Sequence, residues 1–416
     1  MKIKIRKKYL FYALAFTSAI ISAVVVGIDT TISAKIIKNP FAFGISCFLV
    51  GIIITFLITI ILSVPISKNK TLGGKFLDPS FHRIRLIRKE ELKYHLLAGF
   101  GNSLLTISYF VLLTLLPDPS VVLPFSQIVI LYLLVIDSVA EKNVPTLIEI
   151  QSSLIVTFGA ILGSISLGGN ITPLSLAIVF MIYCPAWAIF SIYQRKLKLL
   201  KIDKKTNDSI NIRFWNVVFA CLFTLIFVGI YDFIMKTGYI IEGLSASVNH
   251  FWWVALTMSI TFFSFVFFIR ALGLGKASVT QAVRSSLIIF AIPISIILSS
   301  LGIITLFSLD PAWLLIKFIG ITMIILGIVS FALTLVKAYV FINVKPGYSI
   351  EEVMNKIWNI HGVNRVVAIS GSYNIVAKIH TRTLVKGYEK IIRKIEEIEG
   401  IQSYKWQSVL KEWEDL

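Results

Sequence analysis

Long apolar segments recur along most of the chain and limit its fold more than any other feature. A helix that crosses a membrane needs about 20 predominantly apolar residues. Ten such segments cover approximately residues 9–28, 41–66, 95–116, 120–140, 146–167, 173–194, 212–235, 250–271, 278–300 and 312–337. The chain is 56% hydrophobic, whereas soluble domains are roughly 45–50% apolar. Residues 1–337 are therefore predicted to form an all-α membrane bundle of ten transmembrane helices.

The positive charges predict the orientation of these helices. The net charge is +18, and Lys and Arg residues concentrate in short loops on the cytoplasmic side of a membrane. If the N-terminus is cytoplasmic, the inner loops carry 24 basic residues and the outer loops carry 3, which are Lys35, Lys38 and Lys236. We therefore predict a multi-pass protein of the cell membrane with both termini in the cytoplasm. This distribution of basic residues between the loops explains most of the net charge, so no nucleic-acid partner is predicted and the expected contact of these residues is membrane lipid.

The membrane region also contains an internal repeat. The segment "YFVLLTLLPDPSVVLPFSQIVILYLLVIDS" resembles "FVFFIRALGLGKASVTQAVRSSLIIFAIPI", and each is followed by a span that contains glycine. Five spans per repeat is an odd number, so the second repeat would enter the membrane upside down. A five-plus-five inverted repeat is typical of secondary transporters, whose substrate site lies near the membrane midplane between the halves.

These features resemble a known transporter group. Ten spans, the inverted repeat and a fourth span ending in "LLVIDSVAEKNVPT" resemble the drug/metabolite transporter superfamily, EamA type, over residues 9–337. In that family the fourth span often ends with a Glu before a short cytoplasmic turn, a place that Glu141 occupies. The resemblance implies transport of small metabolites.

Arg284 is the clearest charged residue inside a predicted span. A charge in hydrocarbon costs several kcal/mol, so it usually has a partner or lines a cavity. Gln281, Arg284 and Ser285 share one helical face by their spacing. Arg284 could line a central cavity and bind an anionic group such as an amino-acid carboxylate. The alternative is a structural tie to carbonyl groups, or a side chain that snorkels to the cytoplasmic surface.

Gln127, Asp137 and Glu141 form a polar stripe on the fourth span. Asp137 and Glu141 are candidate coupling or gate residues, and Gln127 is a candidate cavity residue. Three interpretations of Asp137 remain open: a partner of Arg284, a proton-coupling carboxylate, or a solvated group at the interface.

Further cavity candidates lie on other spans. Asn102 and Thr106 share one face of the third span, and Trp187 follows Pro185 deep within the sixth. Small polar residues also join membrane helices without any substrate, and this alternative applies to Asn102 and Thr106. Asp29, at the outer end of the first span, is predicted to lie among the lipid headgroups.

Nothing in the sequence points to catalysis. The spacing of Cys47, Cys184 and Cys221 matches no metal motif, the five histidines are scattered, and there is no Walker loop. We therefore predict that the protein is not an enzyme and needs no metal or cofactor.

The C-terminal residues 338–416 have a different composition, with 11 basic and 9 acidic residues. "AYVFINVKPG", "VNRVVAISG", "YNIVAKIHT" and "IQSYKWQSVL" read as strands. "SIEEVMNKIWNI" and "TLVKGYEKIIRKIEEIEG" read as helices, the first with a capping box at Ser349 and Glu352. The order β-α-β-β-α-β predicts an α+β domain of the ferredoxin-like arrangement.

This domain resembles the effector-binding domain of the leucine-responsive/AsnC regulator family. The matching phrases are "AYVFINVKPG", "IHGVNRVVAISGSYNIVAKI" and "IEGIQSYKWQSVL". The resemblance implies pairing through the sheets, hence a homodimer or higher homo-oligomer through residues 338–416. It also implies amino-acid binding near the turn between the second and third strands. That turn contains Gly371, Ser372, Tyr373 and Asn374.

Together these patterns predict a secondary transporter of amino acids or related small metabolites, regulated by a cytoplasmic amino-acid-sensing domain. The alternative is a membrane receptor or tether that transports nothing, whose C-terminal domain dimerises or senses a ligand. A C-terminal domain that serves only assembly, or only stability, is a further alternative.

Overall fold

The computed structural model describes residues 7–67, 70–115, 127–141, 147–164, 173–202, 205–302, 311–333, 335–360, 362–382 and 387–408. Within these residues, six helices are long and apolar enough to cross a membrane. They are α1 (Lys7–Lys35), α2 (Pro40–Leu62), α4 (Lys89–Leu115), α7 (Pro173–Leu199), α8 (Ser209–Met235) and α10 (Phe251–Leu272). The chain is therefore a multi-pass membrane protein.

The remaining helices of the first 333 residues are α3 (Leu72–Phe76), α5 (Val129–Glu141), α6 (Leu147–Ser164), α9 (Tyr239–Asn249), α11 (Ala277–Arg284), α12 (Leu287–Ser300) and α13 (Pro311–Leu333). Two short hairpins pair β1 (Pro65–Ser67) with β2 (Lys70–Thr71), and β3 (Lys201–Ile202) with β4 (Lys205–Thr206). The other four predicted spans fall on α5, α6, α11 with α12, and α13. The count of ten spans stays a prediction.

The packing of the helices has an internal symmetry. The helices of the first repeat are α1, α2, α4, α5 and α6, and they correspond in this order to α7, α8, α10, α11–α12 and α13 of the second. When each helix is replaced by its counterpart, the main packed pairs of helices map onto other packed pairs. The pair α1–α10 exchanges with α7–α4, and α2–α10 exchanges with α8–α4, whereas α2–α8 and α6–α13 each map onto themselves. An internal repeat produces such a pattern.

Glycine allows the close contact of α6 with α13. A Cβ atom added to Gly159 would lie 2.7 Å from the carbonyl oxygen of Gly320, closer than real Cβ atoms approach a backbone atom. A hydroxyl–hydroxyl hydrogen bond of 2.9 Å joins Ser152 to Ser330 across the same pair of helices. Small residues let membrane helices approach in this way, which explains the glycines shared by the two spans.

The C-terminal domain contains β5 (Leu335–Val344), α14 (Ile350–Trp358), β6 (Val363–Ala368), β7 (Ile375–Arg382), α15 (Gly387–Glu396) and β8 (Ile401–Ser408). The element order is the predicted β-α-β-β-α-β. The sheet is antiparallel with strand order β6-β7-β5-β8. β5 begins at Leu335, earlier than the predicted boundary at residue 338, and α13 ends at Leu333.

Strand register places alternate side chains of the sheet in one core. Val340 lies opposite Ala377, and Ile342 lies opposite Ile375. All four side chains are fully buried, as expected for alternate positions that face one side of a sheet. Helices α14 and α15 add Val353, Ile357, Ile391 and Ile395 to this core.

Candidate functional site

A cavity of about 120 Å³ lies among α1, α2, α4, α7, α8, α10 and the junction of α11 with α12. Most of its wall is apolar or aromatic, which is typical of small-molecule sites. Its charged side chains are Asp29, Arg213 and Arg284. The uncharged polar side chains in its wall are Ser22, Asn102, Thr106, Tyr109, Tyr183, Thr257, Thr261 and Ser264.

Arg284 is the last residue of α11 and is only 3% exposed. Its Nη2 donates to Ser22 Oγ at 2.6 Å and its Nε donates to Ser18 Oγ at 3.3 Å. The guanidinium lies 5.0 Å from the ring centre of Trp187 and 4.9 Å from that of Phe268. Its Nη1 is buried without a hydrogen-bond partner among the described residues. The snorkelling interpretation is therefore wrong, and one donor of Arg284 is available to a ligand.

Arg213 is a second guanidinium at the cavity, and the sequence prediction missed it. It is 2% exposed, and its guanidinium carbon lies 4.4 Å from the ring centre of Phe265, which Arg284 approaches at 5.6 Å. Nε and Nη1 of Arg213 have no hydrogen-bond partner within the described part of the chain. The sequence signal that could have revealed the position of Arg213 is Asp208, which caps α8 by accepting a hydrogen bond from the Asn211 amide. That cap places Arg213 inside the helix rather than in a loop.

The sequence prediction of Asp29 at the headgroups is wrong. Asp29 lies on α1 and is 5% exposed, and its Oδ1 accepts from Thr257 Oγ1 at 2.6 Å. No ion pair to Asp29, Arg213 or Arg284 occurs among the described residues. A buried charge without a counter-charge is costly. The cavity therefore holds three charged groups, each without an ion-pair partner in the described residues.

The structure places the other predicted cavity residues in two groups. Asn102, Thr106 and Trp187 line the cavity, and Asn102 also donates to Asn216 on α8 at 2.9 Å. Gln281 and Gln127 are not in the cavity wall: they pair with each other at 3.2 Å between Nε2 and Oε1, joining α11 to the start of α5.

Ser285 and the candidate gate residues lie outside the cavity wall. The Ser285 hydroxyl donates to the carbonyl of Ala282 in its own helix. Asp137 is buried rather than solvated, accepts from both the amide and the hydroxyl of Ser278, and lies 3.8 Å from Arg195. A carboxylate is favourable at the N-terminus of α11 because of the helix dipole. Helix α5 ends at Glu141, whose side chain lies outside the described residues.

A separate polar network joins the hairpin regions at one end of the bundle. Asp78 accepts from Lys198 Nζ at 2.6 Å and from the Ser209 amide at 2.8 Å. Burial raises the pKa of Asp78, but Lys198 and the hydrogen bonds outweigh it and hold that pKa below its ordinary value. Arg85 forms a two-pronged pair with Glu91, with contacts of 2.6 and 2.7 Å. In this network the named charges are paired, in contrast to those of the cavity.

The predicted effector turn lies between β6 and β7. Gly371 has φ of 138°, a value that favours glycine. Ser372 is exposed, and the ring of Tyr373 lies 5.4 Å from that of Phe341 on β5. Asn374 has a structural role, because its Oδ1 accepts from the Val344 amide at 2.8 Å and its backbone amide donates to β5 at 3.0 Å. The turn is thereby fastened to the central strand, and effector binding stays a prediction.

Metal binding has no geometric support in the described ranges, where no three His, Cys, Asp or Glu side chains cluster.

Comparisons with known proteins describe the C-terminal domain. The family model of the Lrp/AsnC ligand binding domain matches residues 337–415. No curated protein matches the chain. A solved structure titled "Crystal structure of protein" is 13% identical, with a TM-score of 0.46, over 77% of this chain and 95% of its own. The resemblance of the membrane region to EamA-type transporters stays a prediction. The chain thus joins several membrane-spanning helices to a domain similar to Lrp/AsnC ligand-binding domains.

Proposed function

We propose that the protein is a secondary transporter of amino acids or related small metabolites, regulated by its C-terminal ligand-binding domain. The observation that carries this proposal is the cavity among the spanning helices with the buried Arg284 in its wall. The guanidinium keeps one donor without a partner among the described residues. A planar guanidinium suits a carboxylate, to which it donates two parallel hydrogen bonds.

Arg213 strengthens the proposal. It adds two further buried donors without partners to the same cavity wall. A carboxylate between the two guanidiniums would supply the missing acceptors, whereas an empty site leaves buried donors unsatisfied at a cost of roughly 1–3 kcal/mol each. A site of this kind therefore favours an anionic group over a neutral one.

Flux into proteoliposomes tests the proposal. Radiolabelled amino acids and small carboxylates should move down a gradient only when the purified protein is present. Arg284→Ala should weaken apparent affinity by about 30-fold, equivalent to roughly 2 kcal/mol for a lost charge-assisted contact. Arg284→Lys should restore only part of it, because a lysine lacks the fork of donors.

The matched control for Arg284 is Arg83→Ala, which removes an exposed guanidinium near the hairpins. Its flux should equal that of the unmodified protein. If Arg284→Ala and Arg284→Lys both leave uptake unchanged, Arg284 has no role in substrate binding. If no compound moves for any variant, the transport proposal itself is wrong.

Regulation would act through the junction between the two parts of the chain. A single residue separates α13 from β5, and β5 pairs with both β7 and β8 at the centre of its sheet. A ligand regulates transport only if it binds two conformations of the protein with different affinity. Transport measured with and without each amino acid on the cytoplasmic side tests this part of the proposal.

A second candidate is a membrane receptor or tether that assembles through its C-terminal domain. The sheet face opposite the helices carries half-exposed aromatic side chains, Tyr339 and Phe341, and the exposed Val367 two strands away. A face of this kind suits a second copy of the domain. Cross-linking that detects dimers, together with zero flux for every compound, would favour this candidate over transport.

A further inference from the structure

The cavity has two charged poles, which together suggest the shape of its ligand. Arg284 and Arg213 form a cationic pole around the ring of Phe265. Asp29 forms an anionic pole with its hydrogen-bond donor Thr257. The two poles belong to one cavity but form no direct ion pair within the described residues.

The same spacing between the poles is found along two neighbouring helices. On α1, Ser22 contacts the Arg284 guanidinium, and Asp29 follows seven residues later. On α10, Thr257 binds Asp29, and Ser264, seven residues further along, binds Ser22 at 2.6 Å. Seven residues of α-helix rise about 10 Å. Ser22, which contacts the Arg284 guanidinium, and Asp29 therefore lie roughly two helical turns apart along the axis of α1.

An ordinary α-amino acid is short for this separation. Subtracting a charge-assisted hydrogen bond of about 2.8 Å at each end leaves about 4–5 Å between the carboxylate oxygen and the ammonium nitrogen of a ligand. Standard bond lengths place these atoms only about 3 Å apart in an α-amino acid. A ligand with its amine several bonds from its carboxylate spans the two poles better.

We propose that the cavity selects an elongated zwitterion, with a carboxylate at Arg284 and Arg213 and a terminal ammonium at Asp29. This inference rests on the proposed transport function and names the substrate class of the same site. The apolar wall between the poles, which includes Val26, Leu105 and Met258, would pack against the methylene groups of such a ligand. Burial of those groups adds to the affinity.

Two isomers of aminopentanoate provide the test. The ω-amino isomer and the α-amino isomer have the same atoms and net charge, and pentanoate lacks the amine. Binding of each compound to the full-length protein is measured as competition against labelled ω-aminopentanoate and as flux. The ω isomer should bind at least ~10-fold more tightly than the α isomer, because only the ω isomer brings its amine to a buried carboxylate.

Asp29→Asn removes the charge without changing the size of the side chain. In this variant the ω isomer should bind only as well as pentanoate, whereas pentanoate itself should bind as it does to the unmodified protein. Retained pentanoate binding shows that the cationic pole and the fold are intact. If the variant also loses pentanoate, Asp29→Glu decides, because it keeps the charge and should keep part of the preference for the ω isomer.

The possible failures are distinct. Equal or tighter binding of the α isomer overturns the elongated-ligand inference and leaves transport standing, as does an ω preference that survives in Asp29→Asn. Pentanoate that binds the unmodified protein as tightly as the ω isomer also overturns the inference, since Asp29 would then contribute nothing as a charge. Absence of binding and flux for every compound overturns the transport proposal and this inference together.

Discussion

Asp78→Asn tests whether the polar network at the hairpin end of the bundle holds the helices together. Asp78 is buried and accepts from Lys198 Nζ at 2.6 Å, from the Ser209 amide at 2.8 Å and from the Ser80 amide at 3.0 Å. The substitution keeps the size of the side chain but leaves the buried ammonium of Lys198 without its counter-charge. Loss of one partner of a buried pair costs about 3–5 kcal/mol.

The expected loss is measured as the free energy of unfolding of the purified full-length protein in detergent. Glu90→Gln is the matched control, because it makes the same chemical change on an exposed side chain and should change the free energy by less than about 0.5 kcal/mol. The double variant with Asp78→Asn and Lys198→Met should recover most of the loss, since it leaves no unpaired charge. If Asp78→Asn is as stable as the Glu90→Gln control, the ion pair does not hold the network together.

The same carboxylate predicts a pH dependence. The pKa of Asp78 is lower in the folded protein than its ordinary value, because Lys198 and the hydrogen bonds outweigh the effect of burial. A depressed pKa stabilises the fold above the ordinary carboxyl pKa of about 4, and that contribution is lost as the pH falls through the folded value. Asp78→Asn should therefore remove part of the acid-induced loss of stability of the unmodified protein.

Three further substitutions test other parts of the structure. Gly101→Ala should lower the free energy of unfolding by about 1–3 kcal/mol, because the new Cβ would lie 2.9 Å from two backbone atoms of α7. Gly44→Ala is the control in the same unfolding assay: its new Cβ would have contacts of 3.8 Å, so it should be neutral or stabilising. Asn374→Ala should lower the unfolding free energy of the C-terminal domain by about 1 kcal/mol, because the β5 amide loses its side-chain acceptor; an unchanged value would refute the structural role. The hydrogen bond to Glu396, with burial, raises the pKa of Tyr404 to about 12. The contribution of this hydrogen bond to the free energy of unfolding should be complete below pH ~10 and fade towards pH ~12. It should be absent in Tyr404→Phe, as measured by unfolding curves at alkaline pH.

The C-terminal domain was predictable because its signals are local. Ser349 caps α14 as predicted, with its hydroxyl accepting a hydrogen bond from the Glu352 amide. Alternating apolar residues in the strands determine which side chains form the core, since neighbouring residues of a strand face opposite sides. The sequence did not indicate that Asn374 fastens the turn to β5, because that contact joins residues 30 positions apart.

The cavity was only partly predictable, for a physical reason. Arg284 lies well inside its span, and its cost in hydrocarbon makes it conspicuous in the sequence. Arg213 and Asp29 lie near the ends of their helices, where a charge is ordinarily solvated by headgroups and water. Their burial depends on the lateral packing of several helices, and hydropathy along one helix carries no information about that packing.

Buried charges form ion pairs in one polar region of this protein and not in the other. At the hairpin end, Lys198 forms an ion pair with Asp78, and Glu91 forms one with Arg85. In the cavity, Arg213, Arg284 and Asp29 have no ion-pair partners among the described residues, although they are buried too. Departures from a rule that the rest of a chain obeys are expected at functional sites. The contrast therefore favours a ligand, rather than the fold, as the partner of the cavity charges.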